Sequence, residues 1–248
     1  MRQSNKINPQ SGNVFIIILI GIILFAALAY TFTRSGQTGT GNLTAQQTEI
    51  AAQEILNYAR LIENAVNRLR QNGCSENEIS FESAGLTGHA NAGAPGDNSC
   101  HIFDTNGGQV TYQDPADNWL DNAFSASGFY GDYYFSKACV RGVGGDSGSV
   151  SENAFCNSPN NNGEELLFVL PYLDQAVCEK INQKLYRDTT IPTDATSPYA
   201  MNEDFDGDYS SSNEIANNAN DFDKRSSFCF NSAGATTKFD FYHVLLAR

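Results

Sequence analysis

The sequence predicts an α+β protein with an N-terminal transmembrane helix, an amphipathic helix packed on a mostly antiparallel sheet, and a disulfide-rich ectodomain. Three observations lead to this prediction: a long apolar segment near the N-terminus, a helical stripe of apolar residues behind it, and six cysteines among short apolar and aromatic runs. Hydrophobic residues make up 41% of the 248 residues and charged residues 17%, a composition that supports a packed core.

The N-terminal segment is predicted to cross a membrane, with residues 1–12 as a basic leader and 13–34 as the transmembrane helix. Val14–Ala29 contains only apolar or small residues, and residues 30–33 extend the run. A helix of about twenty residues is about 30 Å long, which matches the hydrocarbon core of a bilayer. A buried core helix is the alternative, but it would normally be shorter and carry a polar face. The lipid bilayer is therefore an expected partner.

Charges around this segment predict its orientation. Arg2 and Lys6 precede it, whereas Arg34 alone follows closely. The excess of basic residues ahead of the span places the N-terminus in the cytoplasm, the helix in the inner membrane, and the remaining chain in the periplasm or outside. A cleaved secretory signal remains an alternative, because the residues at 26–29 resemble a cleavage site.

The body beyond residue 34 is strongly acidic. It holds 12 of the 15 Lys and Arg but all 28 Asp and Glu, a formal charge of −16. Such a surface repels phosphate backbones, so we expect no nucleic-acid partner.

All six cysteines follow the membrane segment, as expected of a protein in an oxidising compartment. No Cys-x-x-Cys pair occurs and the three histidines lack zinc-finger spacing, so disulfides are favoured over a metal knuckle. Six cysteines allow fifteen pairings. Our hypothesis joins neighbours in sequence: Cys74–Cys100, Cys139–Cys156 and Cys178–Cys229.

Beyond a glycine-rich hinge at 35–43, residues 44–248 are predicted to form one extracytoplasmic α+β domain. Its first helix should span Thr44–Asn72, capped by Thr44 and ended by Gly73. A coiled coil also fits this pattern, but one helix on its own sheet is favoured. The apolar stripe consists of Ala52, Ile55, Leu56, Ala59, Ile62, Ala65, Val66 and Leu69.

The later elements are predicted from shorter patterns. Pro171 is taken as the first residue of a second helix that ends at Tyr186. The C-terminus should form a hairpin of Phe228–Asn231 and Lys238–Ala247. Further candidate strands are Glu78–Phe81, Ile102–Phe103, Gln109–Tyr112, Tyr133–Val140 and Val150–Phe155, and Glu165–Leu170 is an apolar run with no element assigned to it.

An acidic loop near residue 205 is a candidate calcium site. Calcium takes six to eight oxygen ligands, and a tight turn at Gly207 lets alternate side chains converge. Glu214 is one place late for the last ligand of an EF-hand loop, so the match is imperfect. A solvated acidic loop without metal is the alternative. The predicted ligands are Asn202, Asp204, Asp206 and Asp208.

Residues 145–148, Gly-Asp-Ser-Gly, resemble the nucleophile loop of trypsin-like proteases. That chemistry needs a histidine base and a carboxylate, and the histidine signature of those proteases is absent. A glycine-rich turn is the ordinary explanation, and His243 is expected to be structural. The motif leaves one alternative function, a membrane-tethered periplasmic hydrolase with Ser147 as its nucleophile.

The order of basic leader, glycine, hydrophobic span and amphipathic helix resembles the type IV pilin and pseudopilin superfamily. The resemblance covers residues 1–72 and implies cleavage after Gly12 by a prepilin peptidase, with other pilin-like subunits as partners. The family usually has Phe first and Glu fifth after the cut, where this chain has Asn13 and Ile17. Certain calcium-binding tip pseudopilins also lack that Glu. The leading hypothesis is therefore a non-enzymatic pilin-like envelope protein, a minor or tip subunit or a tethered surface protein.

Overall fold

The computed structural model describes residue 18 and the ranges 43–86, 88–140, 164–193, 204–210, 214–215, 224–232 and 237–248, together with residue 143. The chain divides into two units between Asn42 and Leu43, and all the elements below belong to the second unit. None of the helices in these ranges has the length and apolar character needed to span a membrane. Apart from residue 18, the predicted span at 13–34 lies outside them.

The first helix, α1, spans Ala45–Gln71 as the apolar periodicity predicts. A reciprocal capping box starts it: the Gln47 backbone N–H donates to Thr44 Oγ1, and the Thr44 N–H donates to Gln47 Oε1. The chain leaves the helix through Gly73, whose φ of +104° suits glycine. All eight residues of the predicted stripe are buried. The amphipathic helix is thus confirmed.

The sheet contains four antiparallel strands and one short parallel strand at its edge. The antiparallel order is β1, β2, β5, β4, and β3 pairs with β1. A second helix, α2, follows β2 directly. The bounds are β1 Tyr134–Val140, β2 Glu165–Leu173, α2 Gln175–Tyr186, β3 Glu214–Ile215, β4 Ser227–Asn231 and β5 Phe239–Leu246.

Both faces of this sheet are buried. One cluster joins α1 and α2 to side chains of the central strands such as Phe168 and Phe241, and a second includes Val169 and Tyr242. Every residue of β1, β2 and β5 is buried. This double burial explains why the strands appear in the sequence as continuous apolar runs and not as alternating ones.

Three of the predicted strands are wrong. Glu78–Phe81, Ile102–Phe103 and Gln109–Tyr112 contain only turns, a 3-10 helix and one isolated bridge, from Ser80 to His101. Their apolar side chains do enter the core, but the chain there turns back on itself too tightly to form a ladder. A Cβ at Gly108 would lie 2.4 Å from the carbonyl oxygen of Ile102. The strand predicted at Val150–Phe155 lies outside the described residues.

The predicted start of α2 is also wrong. Pro171 lies inside β2, and α2 begins at Gln175, where the Asp174 carboxylate accepts a hydrogen bond from the Ala176 N–H at 2.8 Å. Proline lacks the N–H that a ladder needs, and the pairing of β2 with β5 shifts register between Leu170 and Leu173.

Tyr172 fills this irregularity with a left-handed backbone, at φ 59°. Its N–H donates to the carboxylate of Asp240 on β5 at 3.0 Å, and Asp240 also pairs with Lys238 at 3.0 Å and accepts from the Ser232 hydroxyl. Asp240 is completely buried. A buried carboxylate therefore satisfies the Tyr172 N–H where the ladder is interrupted next to Pro171, which the local sequence did not reveal.

Two predicted disulfides are confirmed, Cys74–Cys100 and Cys178–Cys229. Cys139 is also disulfide-bonded, but its predicted partner Cys156 lies outside the described residues. The second bridge joins α2 to β4, alongside a buried amide: Asn182 donates to the carbonyl of Cys229 and accepts from its N–H.

Replacing Cys178 and Cys229 by alanine should lower the free energy of unfolding. The bridge closes 51 residues, and for a loop of that size chain entropy predicts a loss of about 4 kcal/mol. Urea unfolding of the oxidised double variant and of the oxidised wild type measures the difference. Both cysteines are fully buried, so replacing them by alanine also removes side-chain packing. In reductant neither protein has the bridge, and the difference between their unfolding curves there measures the loss of packing alone. Equal unfolding midpoints under oxidising conditions would contradict a stabilising role for the bridge.

Candidate functional site

The acidic segment predicted to bind calcium runs beside β1. Asp204 forms a bridge with Ser136, and the Phe205 N–H donates to the carbonyl of Phe135 at 3.0 Å. Phe205 and Tyr209 are buried, whereas the side chains of Asp206 and Asp208 are 56% and 61% exposed. The aromatic residues thus anchor the segment and direct two carboxylates outward.

These two carboxylates share one buried cation. Lys137 on β1 is only 6% exposed, and its Nζ lies 3.3 Å from Asp206 Oδ1 and 3.7 Å from Asp208 Oδ2. Hydrogen bonds from Ser210, and to a lesser extent the Lys137 charge, lower the pKa of Asp208. A buried ammonium is costly without a counter-charge. The carboxylates of the acidic segment supply this counter-charge and so stabilise Lys137 in its buried position.

The turn between the two carboxylates requires glycine. Gly207 has φ +94°, and a Cβ there would lie 2.5 Å from the carbonyl oxygen of Asn77. The Asn77 side chain donates to the Gly207 carbonyl, and buried Asn91 donates to the carbonyls of Asn77 and Ile79. The predicted tight turn at Gly207 is therefore present, held by amide hydrogen bonds.

The remaining predicted ligands are placed differently. Asp204 lies against Gly88, next to buried His89, and Asn202 is outside the described residues. Burial lowers the pKa of His89 to about 4, although the Asp204 charge acts in the opposite direction. In the described part of the chain, no group of three or more His, Cys, Asp or Glu residues could hold a metal ion. Calcium binding stays a prediction.

The second candidate site, the motif around Ser147, also lies outside the described residues. A different serine meets a histidine within them. The Ser227 hydroxyl on β4 contacts Nδ1 of His243, its directly paired residue on β5. On the other side of the ring, His243 Nε2 lies 3.0 Å from Oε2 of Glu63 on α1. These three residues are called the Ser–His–Glu relay below.

The relay borders a cavity of about 260 Å³ between α1, α2 and the hairpin of β4 and β5. Its walls include Leu56, Arg60, Leu185 and Tyr186. Ser227 and His243 are 6% and 8% exposed. Burial lowers the pKa of His243, Glu63 opposes that shift, and the Arg60 charge adds to it. The imidazole is therefore neutral near pH 7.

Sequence reasoning expected His243 to be structural and did not consider Ser227 or Glu63. In the structure β4 and β5 pair so that Ser227 lies opposite His243. Extending the predicted hairpin by one residue and assigning its register is the sequence signal that could have identified this pair. Nothing local could identify Glu63, which lies 180 residues from His243 along the chain.

A larger cavity, about 650 Å³, lies in the loop region ahead of β1. Phe103 and Tyr112 meet edge to face in its wall, with ring centroids 5.3 Å apart. The other lining residues are Ser83, Gly85, Thr105, Gln109, Val110, Thr111 and Asp114.

Glu165, at the start of β2, is a further buried acid. It is completely buried, and its Oε2 accepts from the Val140 N–H at 2.7 Å. Its Oε1 has no hydrogen-bond partner among the described residues. Burial raises the pKa of Glu165 to about 8, so the folded protein holds this side chain protonated at neutral pH.

Comparison with protein-family models, curated protein sequences and solved structures finds no significant match to the chain.

The Glu165 carboxyl should make stability depend on pH. Its pKa is about 8 when folded against an ordinary value of 4.5, so it stabilises the fold fully below 4.5, and this contribution falls as the pH rises towards 8. Glu165→Gln should become more stable relative to wild type as pH rises, by at most about 1.4 kcal/mol per pH unit. Thermal melts across this range measure it, with Glu164→Gln as the neighbouring control. A difference that does not change with pH would refute the assignment.

Calcium, if it binds the acidic segment, must compete with Lys137 for Asp206 and Asp208. Lys137→Met should therefore enlarge the calcium-dependent rise in melting temperature. The gain in stability should reach about 2.7 kcal/mol when calcium stands at about a hundred times its Kd. The same variant with Asp206→Asn added is the control and should lose the effect. Melting temperatures unaffected by chelation in both wild type and Lys137→Met would argue against a calcium site.

Proposed function

We propose that this chain is a membrane-anchored, pilin-like protein of the bacterial envelope, a minor or tip subunit of a pilus or secretion filament. The arrangement of α1 carries the proposal. This helix begins at Ala45, shortly after the predicted span at 13–34, and packs lengthwise on an antiparallel sheet. A hydrophobic anchor followed by a helix on a disulfide-linked α+β body is the organisation that the pilin resemblance implies.

The exposed side of α1 supports a role in assembly. Ile50 and Leu61 are 52% and 48% exposed, which is unusual for large apolar side chains. They are separated by eleven residues, about three helical turns, and therefore lie on the same side of the helix. In a filament subunit this side would face a neighbouring pilin-like subunit.

The disulfides support export of the body. The bridges at Cys74–Cys100 and Cys178–Cys229 persist only in an oxidising compartment. An N-terminus in the cytoplasm, an anchor in the inner membrane and a periplasmic or extracellular body satisfy this requirement. The proposed partners are accordingly the lipid bilayer and other pilin-like subunits, with no nucleic acid.

In cells with an active prepilin peptidase, the mature protein should begin at Asn13. The resemblance places the cut after Gly12, because the leader in that family is cut after a glycine. Gly12→Val should therefore leave Met1 at the N-terminus, whereas Gly36→Val, the same change in the hinge, should leave processing intact. N-terminal sequencing and intact mass distinguish these forms.

Two outcomes would contradict the proposal. Wild-type protein that keeps Met1 beside an active peptidase would be an unprocessed anchor, and a start near residue 30 would identify a secretory signal. Cross-linking through a photoreactive side chain at position 50 gives an independent measurement. A subunit of a filament should yield a cross-linked product with another pilin-like subunit, and exposed Asn57 offers a polar control position on the same helix.

A further inference from the structure

We propose that the Ser–His–Glu relay is a hydrolytic site for small acyl esters, with Ser227 as nucleophile, His243 as general base and Glu63 as the residue that positions the imidazole. This activity is independent of filament assembly. It rests on the contacts of three side chains that α1, β4 and β5 bring together at one cavity.

The contacts determine the tautomer of His243. A carboxylate only accepts hydrogen bonds, so Glu63 requires a proton on Nε2, 3.0 Å away. Neutral imidazole then has its lone pair on Nδ1, the nitrogen that contacts the Ser227 hydroxyl. Ser227 is consequently the donor and His243 the acceptor, which is the arrangement that activates a serine.

The two ring nitrogens are exchanged relative to trypsin-like triads, in which Nε2 faces the serine. The chemistry does not depend on which nitrogen is used. It needs one nitrogen that accepts the serine proton and a carboxylate at the other to stabilise the imidazolium. Burial keeps the pKa of His243 below its ordinary value, so the unprotonated base is available at neutral pH.

The cavity favours a small substrate. Its volume of about 260 Å³ is below the range of pockets that hold drug-sized ligands. Leu56 and Leu185 provide apolar walls for an acyl chain, and the Arg60 guanidinium lines the same space. A cation that lines the cavity of the nucleophile can stabilise the oxyanion that forms when an ester is attacked.

The reaction needs only the ester and water. Ser227 Oγ bonds to the acyl carbon while its proton passes to His243 Nδ1, and the carbonyl electron pair moves to the oxygen beside Arg60. When the intermediate collapses, the C–O bond to the leaving group breaks and the alkoxide takes the proton from Nδ1. Water then attacks the acyl-serine, gives its proton to Nδ1, and Ser227 leaves with that proton. The products are an alcohol and a carboxylic acid.

A fluorophosphonate probe tests the nucleophile directly in the full-length chain. The probe should modify Ser227, located by peptide mass mapping, and Ser227→Ala should abolish the modification. Ser125→Ala changes an exposed serine that does not line the cavity and should be labelled like wild type. Labelling elsewhere, or none in folded wild-type protein, overturns the proposal and makes the relay a structural link between α1 and the hairpin.

Hydrolysis of p-nitrophenyl acetate separates the roles of the other two residues. His243→Gln should lower kcat at least a hundredfold, and its combination with Ser227→Ala should be no worse than either change alone, because the two residues act as a unit.

Glu63→Gln should lower kcat at least tenfold with KM unchanged, since it alters the stabilisation of the imidazolium and not the apolar walls that bind the acyl chain. Thermal melts of each variant check folding. Additive losses, or Glu63→Gln acting on KM alone, would refute the assigned roles.

Discussion

The packing of α1 against the sheet is the interaction on which the rest of the structure depends. Ten of its residues are buried, among them Ile55, Ile62 and Leu69 at 0% exposure. Fully burying one such side chain contributes about 1.5–3 kcal/mol, so this contact is the main source of stability for the helix. It also positions the polar residues at the edge of the stripe, including Glu63 for His243 and Glu49 for Lys180 and Lys184 on α2.

The long connection from α1 to β1 shows a second way to order a chain. It forms no strand, yet Ile79, Phe81 and Ile102 are completely buried in the core next to the Cys74–Cys100 bridge. Phe81 stacks on Phe135 of β1 with ring centroids 4.0 Å apart. Aromatic packing and a disulfide thus replace the backbone ladder, because the apolar side chains can reach the core without extended backbone.

The buried ionisable groups among the described residues differ in how they are stabilised. Lys137 has two carboxylates, and Asp240 has an ammonium, a hydroxyl and a backbone N–H. Glu165 accepts one backbone hydrogen bond and remains protonated. His243 has a partner on each ring nitrogen and a cavity beside it. Of these groups His243 is the one described beside a cavity, and the proposed hydrolytic site depends on that combination.

Local sequence patterns were sufficient to predict the elements that do not depend on distant partners. The 3.6-residue periodicity identified α1 to within one residue at either end, the strand predicted at Tyr133–Val140 matches β1 to within one residue, and neighbouring cysteines pair as predicted in both described bridges. The conformation of short segments and the partners of single residues depend on the tertiary structure. Next to Pro171 the ladder is interrupted, and Asp240, 68 residues from Tyr172, accepts the Tyr172 N–H there. Lys137 meets Asp206 across 69 residues, and Glu63 meets His243 across 180, through packing that no local pattern encodes.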